Sequence, residues 1–290
     1  MSRGPLRREQ REPADVVAVE REAIALDLIE GGYYLDPHRW HRSRTVVQAI
    51  GTYRFTLLDG VPLARVEPLE RVAVVKETLM PLEEPLDPTG KRTRRIDISL
   101  VCLEEADMRV CSPMTRVEQR IMDLLRIALG DQIELLQTPS DLSKVAQSLG
   151  LPPKLLAAPR TPIRYGDLTE IAKRNLRDAV KAIITSHEKD FANFFNKAAP
   201  INIRLHSIEL LRGVGKKTLK ALLDARERKP FQSLDEVKKL LKVDPVDVLA
   251  DKVVEELSGQ SKYNLFVEPS DPSIPFLDYL SLIRPAGRQR

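Results

Sequence analysis

The sequence predicts an α+β multidomain protein with a β-rich front, a mixed insert and an all-helical back. Three observations predict it. Short β-branched runs separated by glycine turns fill Val16 to Val75. Prolines and acidic residues crowd Met80 to Lys91, and from Asp167 onward apolar residues recur at helical spacing.

At 290 residues the chain has room for two or three domains, each with its own core. A composition 42% hydrophobic and 30% charged describes a globular protein rich in ion pairs. No apolar run approaches the roughly eighteen residues of a membrane span, and Arg-rich Met1 to Pro13 lacks the apolar centre of a secretory signal. The expectation is a cytoplasmic protein without a membrane partner. Cys102 and Cys111, with no CxxC pair, fit free thiols in a reducing compartment and no zinc site. A disulfide between them, as in hyperthermophile proteins, is the less favoured alternative.

Residues 1–14 read as a disordered basic arm carrying Arg3, Arg7, Arg8 and Arg11. Residues 15–76 form the front domain. Its runs are Val16 to Val19, Ala23 to Ile29 (stopped by Gly31-Gly32), Val46 to Ile50, Tyr53 to Leu58 (closed by a hairpin-type Asp59-Gly60) and Val72 to Val75. Several short strands with glycine turns predict a small barrel of the OB or S1 kind. Ala18 to Ile29 also admits a helical period. Between two runs, Tyr33, Tyr34, Arg39, Trp40, Arg42 and Arg44 interleave aromatics with cations, the composition that stacks bases and neutralises phosphates. A surface loop capping the barrel end explains the same residues equally well. His38 and His41 lie close together, but no carboxylate or cysteine spacing completes a metal site, so no metal is expected.

Residues 77–160 read as an insertion module with Pro-rich linkers. Ile96 to Val101 alternates like a strand; Ser112-Pro113 reads as a helix start and Gly130 as its stop. Asp141 to Leu151 gives a second short helix whose Ala146 and Gly150 have helix-turn-helix spacing, but Pro152, Pro153 and Pro159 leave little room for a recognition helix.

Residues 161–267 form the helical domain. Leu176, Val180, Ile183, Ile184, Phe191, Phe194 and Phe195 make a packing stripe. Beyond it, two apolar helical patterns meet at Gly213-Val214-Gly215, the spacing of a helix-hairpin-helix. Two glycines let the backbone take positive φ and approach a surface without Cβ atoms. The next helix then starts with free N–H groups backed by its dipole, a natural phosphate nest. Leu211, Val214, Leu219, Leu222 and Leu223 supply the packing face. Arg212, Lys216, Lys217 and Lys220 add charge: residues 204–229 sum to +5, against +4 for the whole chain. An ordinary tight turn is the plain alternative, but a merely solvated helix face would interleave the signs instead.

After the hairpin, Ser233 and Glu236 form a capping box, and helices end near Leu241 and at Gly259. The order implies a paired unit whose second turn, with Asp244 and Pro245 in place of glycines, cannot hold a phosphate. The tail, 268–290, is Pro-rich with an apolar island from Pro275 to Ile283, free to dock on the body or a partner, and a basic end at Arg284, Arg288 and Arg290.

These residues resemble an archaeal family catalogued as domain of unknown function 655. The resemblance rests on Val47-Gln48-Ala49-Ile50-Gly51, Phe55 to Leu58, Tyr165 to Thr169, Phe194 to Ala198, Arg204 to Leu211, Gly213 to Lys217 and Pro230 to Ser233. It covers roughly 20–76 and 160–267 and leaves 77–160 outside. It implies an OB- or S1-like front and a paired helix-hairpin-helix back. It also implies nucleic-acid binding linked to RNA and translation, including a ribosomal particle as partner, and no assigned catalysis. Arg212 stands where the family usually has proline, which loosens the turn and adds a cation.

The expected function is therefore non-catalytic binding of nucleic acid, RNA favoured over DNA, through Arg212, Gly213, Val214, Gly215, Lys216, Lys217 and Lys220. A DNA repair or recombination factor and a protein-interaction scaffold are the rivals. No cofactor is expected, although helix-hairpin-helix turns in general can seat a monovalent cation on their carbonyls. An enzyme is disfavoured because no carboxylate cluster stands beside the hairpin.

Overall fold

The computed structural model describes residues 16–284 except 88, 106 and 107. The arm expected over 1–14 and the terminal Arg288 and Arg290 lie outside the described residues. After a one-turn helix α1 (Val16–Val19), the front consists of β1 (Glu22–Ile29), β2 (Val46–Gly51), β3 (Leu57–Pro62) and β4 (Arg71–Pro85). The insert adds β5 (Thr93–Glu105), β6 (Met108–Pro113), α2 (Gln119–Leu129), β7 (Glu134–Leu135) and α3 (Pro139–Ser148), and β8 (Leu155–Ala158) follows. All eight strands share one sheet in the order β1-β2-β3-β8-β4-β5-β6-β7. Because β1 also pairs with β4, the strands β1, β2, β3, β8 and β4 close into a five-stranded ring.

The ring explains why Ala18 to Ile29 has no clear period in sequence. Both faces of β1 are buried. Ala23 and Ala25 point into the ring with Val47, Ala49, Val72, Val74 and Leu156, while Ile24 and Leu26 point outward into the helical core. A strand covered on both sides reads as a continuous apolar run, not an alternating one.

Several expected boundaries move. The turn expected at Asp59-Gly60 lies earlier, between Gly51 and Thr56, where Phe55 sits at φ 59° and Gly51 N–H donates to Thr56 O. The buried Glu20 carboxylate accepts the N–H groups of Tyr53, Arg54 and Thr56 and so fixes that turn, leaving Asp59 and Gly60 inside β3. The expected boundary at 76/77 falls inside β4, which runs out of the ring and pairs with β5 from Lys76–Cys102 to Pro85–Thr93. The Pro-rich stretch from Met80 is therefore strand as far as Pro85, not linker. The last ring strand, β8, comes after the insert, so the front domain is not complete at residue 76. Ser112 and Pro113 end β6, and α2 starts only at Gln119, because Ser112 pairs with Val101 in the sheet. Cys102 and Cys111 face each other across β5 and β6 and form a disulfide, which overturns the expectation of free thiols. No recognition helix follows α3; Leu151 to Lys154 leads directly into β8.

The helical part comprises α4 (Glu170–Ser186), α5 (Glu188–Lys197), a small hairpin of β9 (Pro200–Asn202) and β10 (Leu205–His206), then α6 (Lys216–Arg228), α7 (Leu234–Leu241), α8 (Pro245–Leu257) and α9 (Tyr279–Ile283). Its phenylalanine stripe is core: Phe191, Phe194 and Phe195 are fully buried. One hydrophobic core runs from Ile24, Ile50 and Leu57 of the ring through α4 and α5 to α8 and α9. Polar contacts reinforce this junction. The Gln48 amide donates to Asp167 O and accepts from Thr169 N–H, and the Thr169 hydroxyl donates to Asp27. The apolar island of the tail docks on the body: Tyr279 stacks edge-on against Phe194, and the buried Arg284 donates to the carbonyls of Thr52 and Tyr53. No helix among the described residues is long and apolar enough to cross a membrane.

Candidate functional site

The stretch Ile208 to Leu211 does not form the expected first helix of the hairpin. It is a single 3-10 turn, Ser207–Leu210, because the chain arrives from the β9–β10 hairpin with Ser207 tied to Ala199 O. The second half is as expected. Gly213 takes φ +83°, the left-handed region that disfavours any side chain, and Gly215 is the N-cap of α6. A Cβ at either glycine would meet nothing within 4 Å, so the turn faces open space. No side chain caps α6. Its first N–H groups are thus available to an outside acceptor and carry the positive end of the helix dipole. Leu211, Val214 and Leu222 are buried beneath, which fixes the turn on the core.

The charges around the turn divide into two sets. Lys216 is engaged: its Nζ lies 2.8 Å from Glu209 Oε1 and donates to Arg204 O at 2.8 Å. That contact holds the Glu209 carboxyl below its usual range. Arg226, also in the basic stretch, donates to Phe195 O and Ala198 O and closes the C-terminus of α5. Arg212, Lys217 and Lys220 are exposed, with no ion-pair partner among the described residues. A groove of about 990 Å³ beside the turn mixes Tyr165, Arg177 and Arg212 with Glu209, Asp251 and Glu255. Arg177 is tied to Asp247 and Asp251. The second turn carries Asp244, as the sequence indicates, and its carboxylate caps Val246 and pairs with Lys238.

The aromatic-arginine loop divides in the same way. Tyr34 is 76% exposed, and Arg39 is exposed with no ion-pair partner among the described residues. Trp40 is half-exposed, with its indole N–H donating to Glu77. Arg42 donates to Asp36 O and Arg44 to Glu77. Tyr33 sits within electrostatic reach of Lys173, which lies 5.7 Å over the Tyr165 ring that lines the hairpin groove.

Beneath that loop the structure assembles a cluster the sequence did not reveal. His38 and His41 meet Asp36, Asp59 of β3 and Glu77 of β4, and all five are buried. The expectation that no carboxylate completes the histidine pair is corrected. His41 places Nδ1 2.5 Å from Asp59 Oδ2 and Nε2 2.9 Å from Glu77 Oε2. His38 places Nε2 2.6 Å from Thr161 Oγ1 and Nδ1 2.8 Å from Asp59 Oδ1. Burial alone would lower both imidazole pKa values. The carboxylates beside them outweigh it and raise both to about 9. Asp59 is pushed the opposite way: burial works to raise it, and its two histidine partners hold it well below the usual carboxylate range. Asp36 is raised by burial and by the neighbouring Asp59. The local part of the pattern, Asp36-Pro37-His38 with His41 three residues on, is visible in sequence. Asp59 and Glu77 are not, because the β2–β3 and β3–β4 connections bring them in.

A family model described as "Protein of unknown function (DUF655)" matches residues 19–268, and the chain belongs to that family. It is 36% identical over 111 residues to Uncharacterized protein MJ0038 of Methanocaldococcus jannaschii, covering 38% of this chain and 51% of that protein. The chain thus spans about half the length of that curated relative. A crystal structure of Af1531 from Archaeoglobus fulgidus, titled as a DUF655 family member, superposes with a TM-score of 0.51 at 22% identity, covering 86% of this chain and all of that one. At that identity the likeness concerns the fold.

Proposed function

We propose that the protein is a non-catalytic nucleic-acid-binding protein that grips phosphates at the N-terminus of α6, with structured RNA favoured over DNA. The observation that carries this reading is a conjunction at one turn. An uncapped helix start, two glycines facing open space and three exposed cations, Arg212, Lys217 and Lys220, meet there, the cations unpaired among the described residues. Backbone N–H groups there hold one or two phosphates and the cations supply long-range attraction. Lys216, held by Glu209, shapes the turn more than it contacts a phosphate. Such contacts position a backbone and read no sequence. Base contacts fall to Tyr34 and Trp40 of the loop, with Arg39 beside them, on a five-stranded ring of the kind that OB-like domains use for oligonucleotides. The buried carboxylates near the loop do not support a catalytic reading, because Asp36, Asp59 and His41 are at most 1% exposed and no substrate reaches them.

Competition binding tests the reading: labelled structured RNA is displaced by unlabelled structured RNA, single-stranded RNA or duplex DNA. Stronger displacement by structured RNA supports it. Stronger displacement by duplex DNA favours the repair-type rival, and no binding to any of the three overturns it.

A further inference from the structure

We infer that Asp36, His38, His41 and Asp59 form a structural site for one divalent transition-metal ion of the zinc class, which fastens the 33–44 loop to the barrel. One ligand atom from each of the four residues lies within 4.8 Å of the others. Zinc takes imidazole nitrogen and carboxylate oxygen at about 2.0–2.2 Å, which puts neighbouring ligands of a tetrahedron roughly 3.3 Å apart. The nitrogen-to-carboxylate approaches here lie on either side of that value, each histidine meeting a different oxygen of each carboxylate: His41 Nδ1 to Asp59 Oδ2 2.5 Å and Asp36 Oδ2 3.8 Å, His38 Nδ1 to Asp59 Oδ1 2.8 Å and Asp36 Oδ1 3.6 Å.

Two further features point to a cation rather than to a self-contained ion-pair network. Asp36 Oδ2, Asp59 Oδ1 and His38 Nδ1 are buried without a hydrogen-bond partner. The 2.8 Å approach of the last two lacks hydrogen-bond alignment, so neither satisfies the other. Unpaired buried atoms of this kind are costly unless something ligates them. The histidines are also oriented from outside, as metal-binding histidines are. Each turns Nδ1 inward, while Nε2 is held by Glu77 on His41 and by Thr161 on His38. Mixed nitrogen and oxygen donors in a closed shell fit zinc better than calcium or magnesium, which want oxygen alone. At 6% exposure or less for all four residues, no position is open to substrate, so the ion is structural.

The ion has a mechanical consequence. The 33–44 segment has little regular structure, only a 3-10 turn at Arg39–His41. A metal bridging it to β3 would hold Trp40 and Arg39 at fixed positions. The inference does not rest on nucleic-acid binding.

The test uses the full chain, stripped with a chelator at neutral pH and titrated with Zn²⁺ and with Co²⁺. The expected result is one ion per chain, the visible absorption of tetrahedral Co²⁺, and a thermal midpoint that rises on adding Zn²⁺ and falls again with chelator. Asp36→Asn keeps the shape of the side chain and should weaken Zn²⁺ binding at least tenfold. Glu77→Gln, which acts through His41, should weaken it by about 10- to 100-fold. If His41→Ala fails to fold, Asp36→Asn still decides the matter. Absence of stoichiometric Zn²⁺ or Co²⁺ binding to the folded chain, or equal binding by wild type and Asp36→Asn, overturns the assignment.

Discussion

Around the N-terminus of α6, Arg212, Lys217 and Lys220 stand in solvent without carboxylate partners among the described residues, and the glycines beside them face open space. Around Asp59 the arrangement is reversed. Both imidazoles meet carboxylates on one side and a carboxylate or hydroxyl on the other; the histidines and carboxylates are buried, and only Thr161 at the rim is exposed. The first region keeps donors and charge without protein partners at little cost, because water serves them. The second pairs its buried charges, since a buried unpaired charge costs several kcal/mol, and the atoms it leaves without hydrogen-bond partners are those assigned to the metal ion. The difference separates a solvated, charged turn from a buried cluster that ties the loop to the sheet, and the two should respond oppositely to substitution.

The largest effect is expected at the cluster. Asp59→Ala removes the partner of both histidines and should cost about 3–5 kcal/mol of stability, read from the urea midpoint. A loss below about 1 kcal/mol, the range of exposed pairs, would mean that the cluster is not a structural centre.

How legible each region is in the sequence follows from how local it is. The α6 turn is written in consecutive residues, Gly213 to Lys217, so its open glycine turn and uncapped helix start can be read directly. The helix before it cannot, because whether Ile208 to Leu211 coils into a helix or a single 3-10 turn depends on the β9–β10 hairpin that delivers it. The cluster draws on residues 36 to 77, and only strand pairing brings Asp59 and Glu77 beneath the loop. The extent of β4 and the return of the chain through β8 were hidden for the same reason. A strand buried on both faces looks like any apolar run, and prolines at 81 and 85 read as linker although both pair in the ladder. The cysteine pairing was likewise a matter of register, since Cys102 lies directly opposite Cys111 only once β5 and β6 are aligned.

A second prediction sharpens the contrast at a third place. Gly51→Ala drives a Cβ into the Glu20 carboxyl, the group that caps the β2–β3 turn. It should cost about 1–3 kcal/mol, again in the urea midpoint, while Gly215→Ala, which meets nothing within 4 Å, should cost under about 1 kcal/mol. Equal costs would contradict the packing described for the two turns.

Tyr34→Ala should change stability by no more than an ordinary surface substitution, about 0.5 kcal/mol, read from the urea midpoint. It should weaken RNA binding by about 1–3 kcal/mol if a base stacks there, measured by fluorescence anisotropy on single-stranded and structured RNA. Unchanged affinity would remove the loop from the binding surface. Lys216→Ala is the smallest expected effect on affinity, because its charge is already held by Glu209. A weakening as large as that of Lys217→Ala would place Lys216 at the phosphate after all.

The most direct measurement is the affinity of wild type and of Arg212→Glu/Lys217→Glu/Lys220→Glu for structured RNA across a range of salt, with thermal midpoints measured alongside. If phosphates sit at the α6 turn, the variant binds far more weakly. Its slope of log affinity against log salt shrinks by about 0.7–0.9 for each phosphate it no longer neutralises, and the midpoint barely moves. Wild-type affinity and slope in a folded variant would contradict the account and leave the turn as scaffold.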